Sequence, residues 1–374
     1  MKKILLVATV QSHICQFHRA LAEMLRESDE EVIIHVAARN NLAEKNGLSL
    51  DFADKVFDIP FERSPFKSKN KRALSELRKV INAEKYDIIH CNTPVGGILT
   101  RWAARKTRKK GTRVLYTAHG FHFYKGASKK NWMIYYPIEK FFARYTDVLI
   151  TINEEDCELA NKKFKCRVER VHGAGVDSNR YRIADADEKR RLREELSLSG
   201  KVIVCVGELL PNKNQAMLIN AMPGVLKKIP DAQLIIAGNG SEYDKLYALI
   251  ESLGLTESVR LLGYCTFMEL YQRAADLSVS CSIREGLGLN LIEGMLSGNP
   301  VIATENRGHN ELVKDGVNGF LVKQNDSEAL AERIVQILSD DALAEKMSKE
   351  GYSVGMRYSF AVVKNELKEI YYGN

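Results

Sequence analysis

The sequence predicts an α/β protein made of two doubly wound parallel sheets in tandem. Short apolar runs rich in branched residues alternate with helix-like segments along the whole chain. That alternation suits a parallel sheet covered on both faces. The pattern halts within 172–181 and then starts again, and 374 residues exceed one ordinary core.

In the first half, strands are predicted at KILLVATV (3–10), EVIIHVA (31–37), YDIIHC (86–91), TRVLYTA (112–118) and DVLITI (147–152). The segments HRALAEMLRES, KRALSELRKVINAE and VGGILTRWAARK between them read as helices. MKKILLVATVQSH resembles a signal peptide for a few residues. Its apolar run ends in Gln11, Ser12 and His13 with no small-residue cleavage site, so a buried first strand is expected. The second half repeats the scheme with KVIVCVGEL (201–209), AQLIIAG (232–238), VRLLG (259–263), DLSVSCS (276–282), PVIA (300–303) and GFLV (319–322). The joint is expected near HGAGVDSNRY (172–181), ahead of the charged helix DADEKRRLREEL. MRYSFAVVKNELKEIYY reads as a closing helix that returns to the first domain. The domains are thus 1–172, 173–355 and a terminal helix over 356–374.

Composition narrows the function. The hydrophobic fraction of 45% and charged fraction of 28% are those of a globular protein. No stretch is long and apolar enough to span a bilayer. Seven cysteines without CxxC spacing fit buried thiols in a reducing cytoplasm. Residues 1–170 hold 32 basic against 20 acidic side chains, and the remainder is net acidic. RWAARKTRKKGTR (101–113) and KSKNKR (67–72) carry much of the excess. They form either a solvated helix face or a surface for anionic lipid. No nucleic-acid motif accompanies them.

Ligands of such sheets sit at the C-terminal strand ends. After KVIVCV comes GELLPNKNQA, where Lys213 near a helix start could meet a phosphate or lie in solvent. After DLSVSCS comes Ile283-Arg284-Glu285-Gly286-Leu287-Gly288, then a helix from Leu289. Glycines admit close backbone approach, and Glu285 and Glu293 could accept from hydroxyls or simply complement the helix dipole. His119 follows a strand in YTAHGFHFYKG, where it could bond a sugar hydroxyl or phosphate oxygen. HCNTPVGGIL opens another helix at the same edge with Asn92. There is no GxGxxG after the first strand and no GxxxxGK[ST]. Asp185-Ala186-Asp187, a possible metal motif, reads better as a helix cap.

Glu285 and Glu293 form an EX7E pattern followed by GMLSGNPVIA. With GELLPNKN and GVDSNRY, the chain resembles family 4 retaining glycosyltransferases of the GT-B fold. HCNTPVGG and YTAHGFHFYKGASKKNW resemble the exopolysaccharide and capsule branch. The resemblance implies two Rossmann-like domains facing a central cleft, a nucleotide diphosphate sugar as donor, UDP by family frequency, and a polyprenyl-diphosphate-linked saccharide as acceptor. It implies a cytoplasmic enzyme, peripheral on the inner face of the plasma membrane, with no metal or cofactor. It assigns Lys213 to the diphosphate, the backbone of Gly286, Leu287, Gly288 and Leu289 to phosphate oxygens, and Glu285 to the donor sugar. Glu293 would hold the ribose diol, Tyr264 and Cys265 would lie by the base, and His119 would contact the transferred sugar. Gln16, His18, Asn92 and His122 are expected on the acceptor side. Two departures stand out. Glu208 occupies a place where relatives carry an arginine, so Arg284 is expected to supply the cation. Gln11 to Phe17 replaces a Gly-Gly loop. The rival readings are a nucleotide-sugar epimerase and a silent nucleotide-sugar-binding module.

Overall fold

A computed structural model describes residues 1–373 except 29–30, 45–46 and 65–66. The chain forms two units, Met1–Gly175 with Phe360–Asn374, and Val176–Ser359.

The first unit runs β1 (Lys2–Val10), α1 (Gln11–Phe17), α2 (Arg19–Arg26), β2 (Val32–Arg39), β3 (Lys55–Asp58), α3 (Lys69–Glu84), β4 (Ile88–Asn92), α4 (Pro94–Arg108), β5 (Arg113–Ala118), α5 (Lys129–Phe142), β6 (Val148–Thr151), α6 (Glu154–Lys163) and β7 (Arg167–Arg170). The sheet order is β3-β2-β1-β4-β5-β6-β7, and the strands are parallel. Side chains alternate across a strand, and β1 shows the result. Ile4, Leu6 and Ala8 enter one core cluster, while Leu5 and Val7 enter the other. Both faces are therefore covered, which is why the central strands read as continuous apolar runs.

The second unit runs α7 (Ala186–Glu195), β8 (Val202–Val206), α8 (Gln215–Leu226), β9 (Gln233–Ala237), α9 (Tyr243–Ser252), β10 (Val259–Gly263), α10 (Met268–Ala274), β11 (Leu277–Ser280), α11 (Leu289–Leu296), β12 (Val301–Thr304), α12 (Arg307–Leu312), β13 (Gly319–Val322), α13 (Ser327–Leu338) and α14 (Asp341–Met356). Its order is β10-β9-β8-β11-β12-β13, again parallel. Ile203 and Cys205 of β8 face one cluster, Val202 and Val204 the other.

Several elements depart from the sequence expectations. The edge strands β3 and β7 were not expected, because their exposed and half-buried residues lack a long apolar run. Gln11–Phe17 is a helix directly after β1. The segment 356–372 is broken: α14 ends at Met356, and α15 (Phe360–Tyr372) starts afresh. Its Val363, Leu367, Ile370 and Tyr371 join the first unit's core with Leu21 and Leu25 of α2. Burying each of the three aliphatic side chains stabilises by about 1.5–3 kcal/mol. Arg113 donates from Nη1 to Tyr371 O (3.0 Å) and from Nη2 to Ile370 O (2.9 Å). A cation thus meets the helix's unpaired last carbonyls. Asp185 caps α7, its carboxylate accepting from Glu188 N at 2.8 Å.

The strongly basic stretch 101–113 is not uniformly solvated. Arg101 is 1% exposed. Its Nη2 donates to Glu139 Oε2 at 2.9 Å, its Nε to Gly97 O at 3.0 Å, and its guanidinium lies 3.9 Å over Tyr116. Tyr116 Oη donates to Glu139 Oε1 at 3.2 Å. A Cβ on Gly97 would stand 2.5 Å from the Tyr116 ring, so this stack requires glycine there.

Arg101→Ala would leave Glu139 buried beside Tyr116 without its cation, and should cost about 3–5 kcal/mol. Both tryptophans, Trp102 and Trp132, lie in the first unit. Urea unfolding followed by tryptophan fluorescence checks this, and a loss below about 1 kcal/mol would refute a structural role for the pair.

Candidate functional site

In the second unit, β8 has β9 on one side and β11 on the other. This is the topological switch point where ligands of such sheets bind. The loop after β8 turns through Pro211–Lys213, Asn214 takes a left-handed conformation (φ 52°), and α8 begins at Gln215. The loop after β11 carries Ile283 to Gly288. The two loops are stitched together: Ile283 N donates to Asn212 O (2.8 Å), and Asn212 Nδ2 donates to Arg284 O (3.0 Å). Lys213 Nζ meets Glu285 Oε1 at 2.5 Å, with both side chains largely buried. The aliphatic stem of Lys213 lies over Gly207.

α11 opens beside this pair. Its N-cap Gly288 offers no side-chain acceptor, and its first turn holds no acid. The helix start therefore favours an anion. Asn290 Nδ2 donates to Val206 O at 3.0 Å, fixing α11 to the end of β8. Gly308 lets α12 approach closely, since a Cβ there would sit 2.9 Å from Glu285 O and Leu287 N. That approach places His309 beside Gly288. Its Nδ1 bonds Thr304 O at 2.7 Å, and its buried Nε2 has no partner among the described residues. Burial lowers its pKa, while the nearby Glu285 carboxylate opposes the shift.

Glu293 sits elsewhere, one turn into α11. It is hydrogen bonded to Tyr181, with Arg180 and Glu269 nearby. Arg180 is tied to Glu269 Oε2 at 2.7 Å and to Thr266 O at 2.5 Å. Burial pushes the Glu293 carboxyl up to about 7, against the pull of the Tyr181 bond and Arg180. The two glutamates of the motif thus occupy different environments. Tyr264, half-buried, follows β10. Glu208 and Arg284 are both exposed.

In the first unit, residues after β1, β4 and β5 meet at the C-terminal sheet edge. His119 Nε2 lies 3.2 Å from Asn92 Oδ1 and 3.2 Å from His13 Nε2. His18, where α1 passes into α2, packs edge-on to His90 and His119 and bonds Asn92. His90 is locked by Tyr371 Oη (2.7 Å) and Thr117 Oγ1 (2.6 Å). Burial holds His13 and His18 well below the usual imidazole range, and His119 at about 4. Thr93, beside Asn92, takes φ 63°, a costly value for a β-branched residue. Thr9 holds it there through its N–H (3.1 Å) and hydroxyl (2.7 Å).

The structure draws together Lys213 with Glu285, and His119 with His18 and Asn92. Gln16 is exposed on α1, and His122 stacks on Tyr135 at 4.5 Å. Sequence reading missed His13, Tyr181 and His309. The i, i+5 spacing of His13 and His18 was the available sign for the first. Tyr181 sits in what reads as a linker, and His309 in a short helix with no motif.

Residues 16–180 match the family model for glycosyltransferase family 4, and residues 187–354 that for glycosyl transferases group 1. EpsD of Bacillus subtilis (strain 168), provisionally named a glycosyltransferase, is 44% identical, with 99% of this chain and 96% of EpsD aligned. The UDP-Gal:α-D-GlcNAc-diphosphoundecaprenol α-1,3-galactosyltransferase of Escherichia coli is 30% identical over 89% of this chain and 88% of its own. Among solved structures, HepE of Anabaena in complex with UDP and glucose superposes with a TM-score of 0.81 over 99% of both chains, at 22% identity. Sucrose-phosphate synthase of Thermosynechococcus elongatus gives 0.78 over 99% and 98%, at 19% identity. These two likenesses establish a shared fold.

The raised carboxyl of Glu293 has a consequence for stability. A proton held more tightly in the fold stabilises it fully below the ordinary carboxyl value of 4.5, and the contribution is lost as pH rises through about 7. Glu293→Gln removes this dependence. The stability difference should move in the variant's favour by about 2–3 kcal/mol between pH 5 and 8. Urea titrations across that range, followed by circular dichroism, check it. A difference that stays constant with pH would refute a raised Glu293.

Proposed function

The chain belongs to the family 4 glycosyltransferases, and from that premise we propose that it moves a sugar from UDP onto a lipid-diphosphate-linked saccharide with retention of configuration. The observation that carries this reading is the Lys213–Glu285 pair at the switch point, beside the uncapped start of α11. A diphosphate would draw Lys213 to itself and take the N–H groups from Gly286 to Leu289. Glu285, released from the lysine, would then accept hydroxyls of the donor sugar. Glu293, with its Tyr181 partner, would hold the ribose diol, and Tyr264 would lie by the base. Arg284 would stand in for the cation missing at Glu208. His119 would serve the transferred sugar, with His18 and Asn92 on the acceptor side.

In this mechanism the leaving diphosphate oxygen takes the acceptor hydroxyl's proton on the face where the new bond forms. The protein supplies position and charge stabilisation. Lys213 and the helix dipole carry the charge, so no divalent ion is needed. The E. coli relative is named for a UDP-linked donor and a diphosphoundecaprenol acceptor, which supports both choices.

A membrane-bound acceptor gains support from α5. Lys130, Met133, Ile134, Pro137, Phe141 and the following Arg144 fall on one exposed face. Met133 is 76% exposed, Ile134 41% and Phe141 40%. Apolar side chains bordered by cations suit an interfacial helix on an anionic leaflet. Among the described residues no helix is long and apolar enough to cross a membrane. On the function proposed here the protein would act peripherally, on the cytoplasmic face.

The test is transfer from a panel of UDP-sugars to a diphosphate-linked saccharide, in EDTA. Lys213→Ala should lower kcat by about 10²–10³, or roughly 3–4 kcal/mol. Unchanged turnover would remove the clamp. Isomerised donor without acceptor would mark an epimerase, and donor binding without any product a silent module. Separately, the protein should cosediment with vesicles containing phosphatidylglycerol. Binding should fall in high salt and in Met133→Asp/Ile134→Asp. Equal sedimentation by wild type and double variant would dismiss α5 as the contact.

A further inference from the structure

The histidines of the first unit hold a feature that sugar transfer leaves unexplained. His13, His18 and His119 bring three ring nitrogens together, all within 4.8 Å of one another. His13 Nε2 and His119 Nε2 are 3.2 Å apart. Two nitrogens on a tetrahedral zinc ion, at about 2.0–2.1 Å each, stand about 3.3–3.4 Å apart. The spacing present is thus already that of two ligands on one ion. His18 Nε2 is buried and has no hydrogen-bond partner among the described residues. Leaving such a group unpaired in the interior is costly, and a bound ion would pair it.

The geometry points to a binding site for Zn²⁺ made by His13, His18 and His119. Imidazole nitrogen suits a borderline ion such as zinc, and three histidines leave a fourth position open to water or an anionic oxygen. A metal binds imidazole in its neutral form. Coordination through Nε2 needs the Nδ1–H tautomer at His13 and His119, so the shared N–H moves to Nδ1 and no proton is released overall. Asn92, bonded to His18, restrains that ring; its Oδ1, 3.2 Å from His119 Nε2, gives up that contact when Nε2 takes the ion. Local structure explains the convergence. His13 stacks on Phe17 one helical turn away (4.6 Å), and the break between α1 and α2 at His18 swings that ring back towards β4.

Zinc bound here takes His119 away from the sugar. The site therefore makes Zn²⁺ an inhibitor of transfer, a consequence that rests on the function proposed above.

The experiment uses full-length protein stripped with EDTA, dialysed, and free of any polyhistidine tag. Calorimetric titration with ZnCl₂ should show one ion bound per chain. CoCl₂ should give the intense visible bands of a four-coordinate nitrogen site without thiolate charge transfer. His13→Gln and His18→Gln should each weaken Zn²⁺ binding at least tenfold, and the Zn²⁺ concentration that halves turnover should rise by a similar factor. Absence of saturable binding would overturn the site, as would affinities unchanged in both variants or a thiolate band showing the ion on cysteines. Circular dichroism melts confirm folding, and His13→Gln, at a half-buried position, carries the test if the buried His18 variant unfolds. Histidine-dependent zinc binding in a protein that transfers no sugar would keep the site and reject only the inhibition. Zn²⁺ that raises turnover would reject the inhibition as well.

Discussion

Burial of both sheet faces is the constraint on which this molecule depends. Helices cover each side of the central strands, so side chains along β1 and β8 are mostly apolar and spent on packing, while β4 and β11 bury His90, Asn92, Ser278 and Ser280 among them. Polar chemistry can then collect only where strands end and backbone turns into helix. Lys213 and Glu285 stand at two such ends in one unit, and His119, Asn92 and His13 at three in the other. The same geometry that fills the core fixes how far apart these groups lie, because neighbouring parallel strands are held about 5 Å from each other.

Burial also sorts the charges. Glu285 keeps a lysine within contact, whereas Glu293, eight residues on, is held by a tyrosine hydroxyl and pushed towards neutrality. Sequence spacing alone makes the two glutamates look equivalent, and only their surroundings separate them. Arg101 gives the converse case. It belongs to the most basic stretch of the chain, yet it is enclosed with Glu139 and Tyr116 and adds nothing to the surface field.

Much of the fold could be read beforehand because central parallel strands advertise themselves as apolar runs. β3 and β7 could not, since an edge strand with one neighbour has little to bury. α1 escaped because it follows β1 with no cap residue and no turn signal: Val10 is its N-cap and supplies no side-chain bond. Within the site, Lys213, Glu285 and Glu293 were legible as a motif. The partnership of Glu293 with Tyr181 was not, because it joins two segments over a hundred residues apart. The histidine cluster was half visible: His119 and His18 were named singly, but their meeting with His13 depends on a helix break and on three strands lying side by side.

The last helix carries a different lesson. α15 completes a core whose other members lie in the first 171 residues, and its Tyr371 locks His90 while Arg113 holds its end. During synthesis the first unit must therefore wait, with part of one sheet face uncovered, until residues 360–372 leave the ribosome. By then the whole of the second unit has already emerged. The chain that begins first finishes folding last, and a ribosome that stalls anywhere in the second unit releases a product with an open apolar face, fit for a chaperone or a protease.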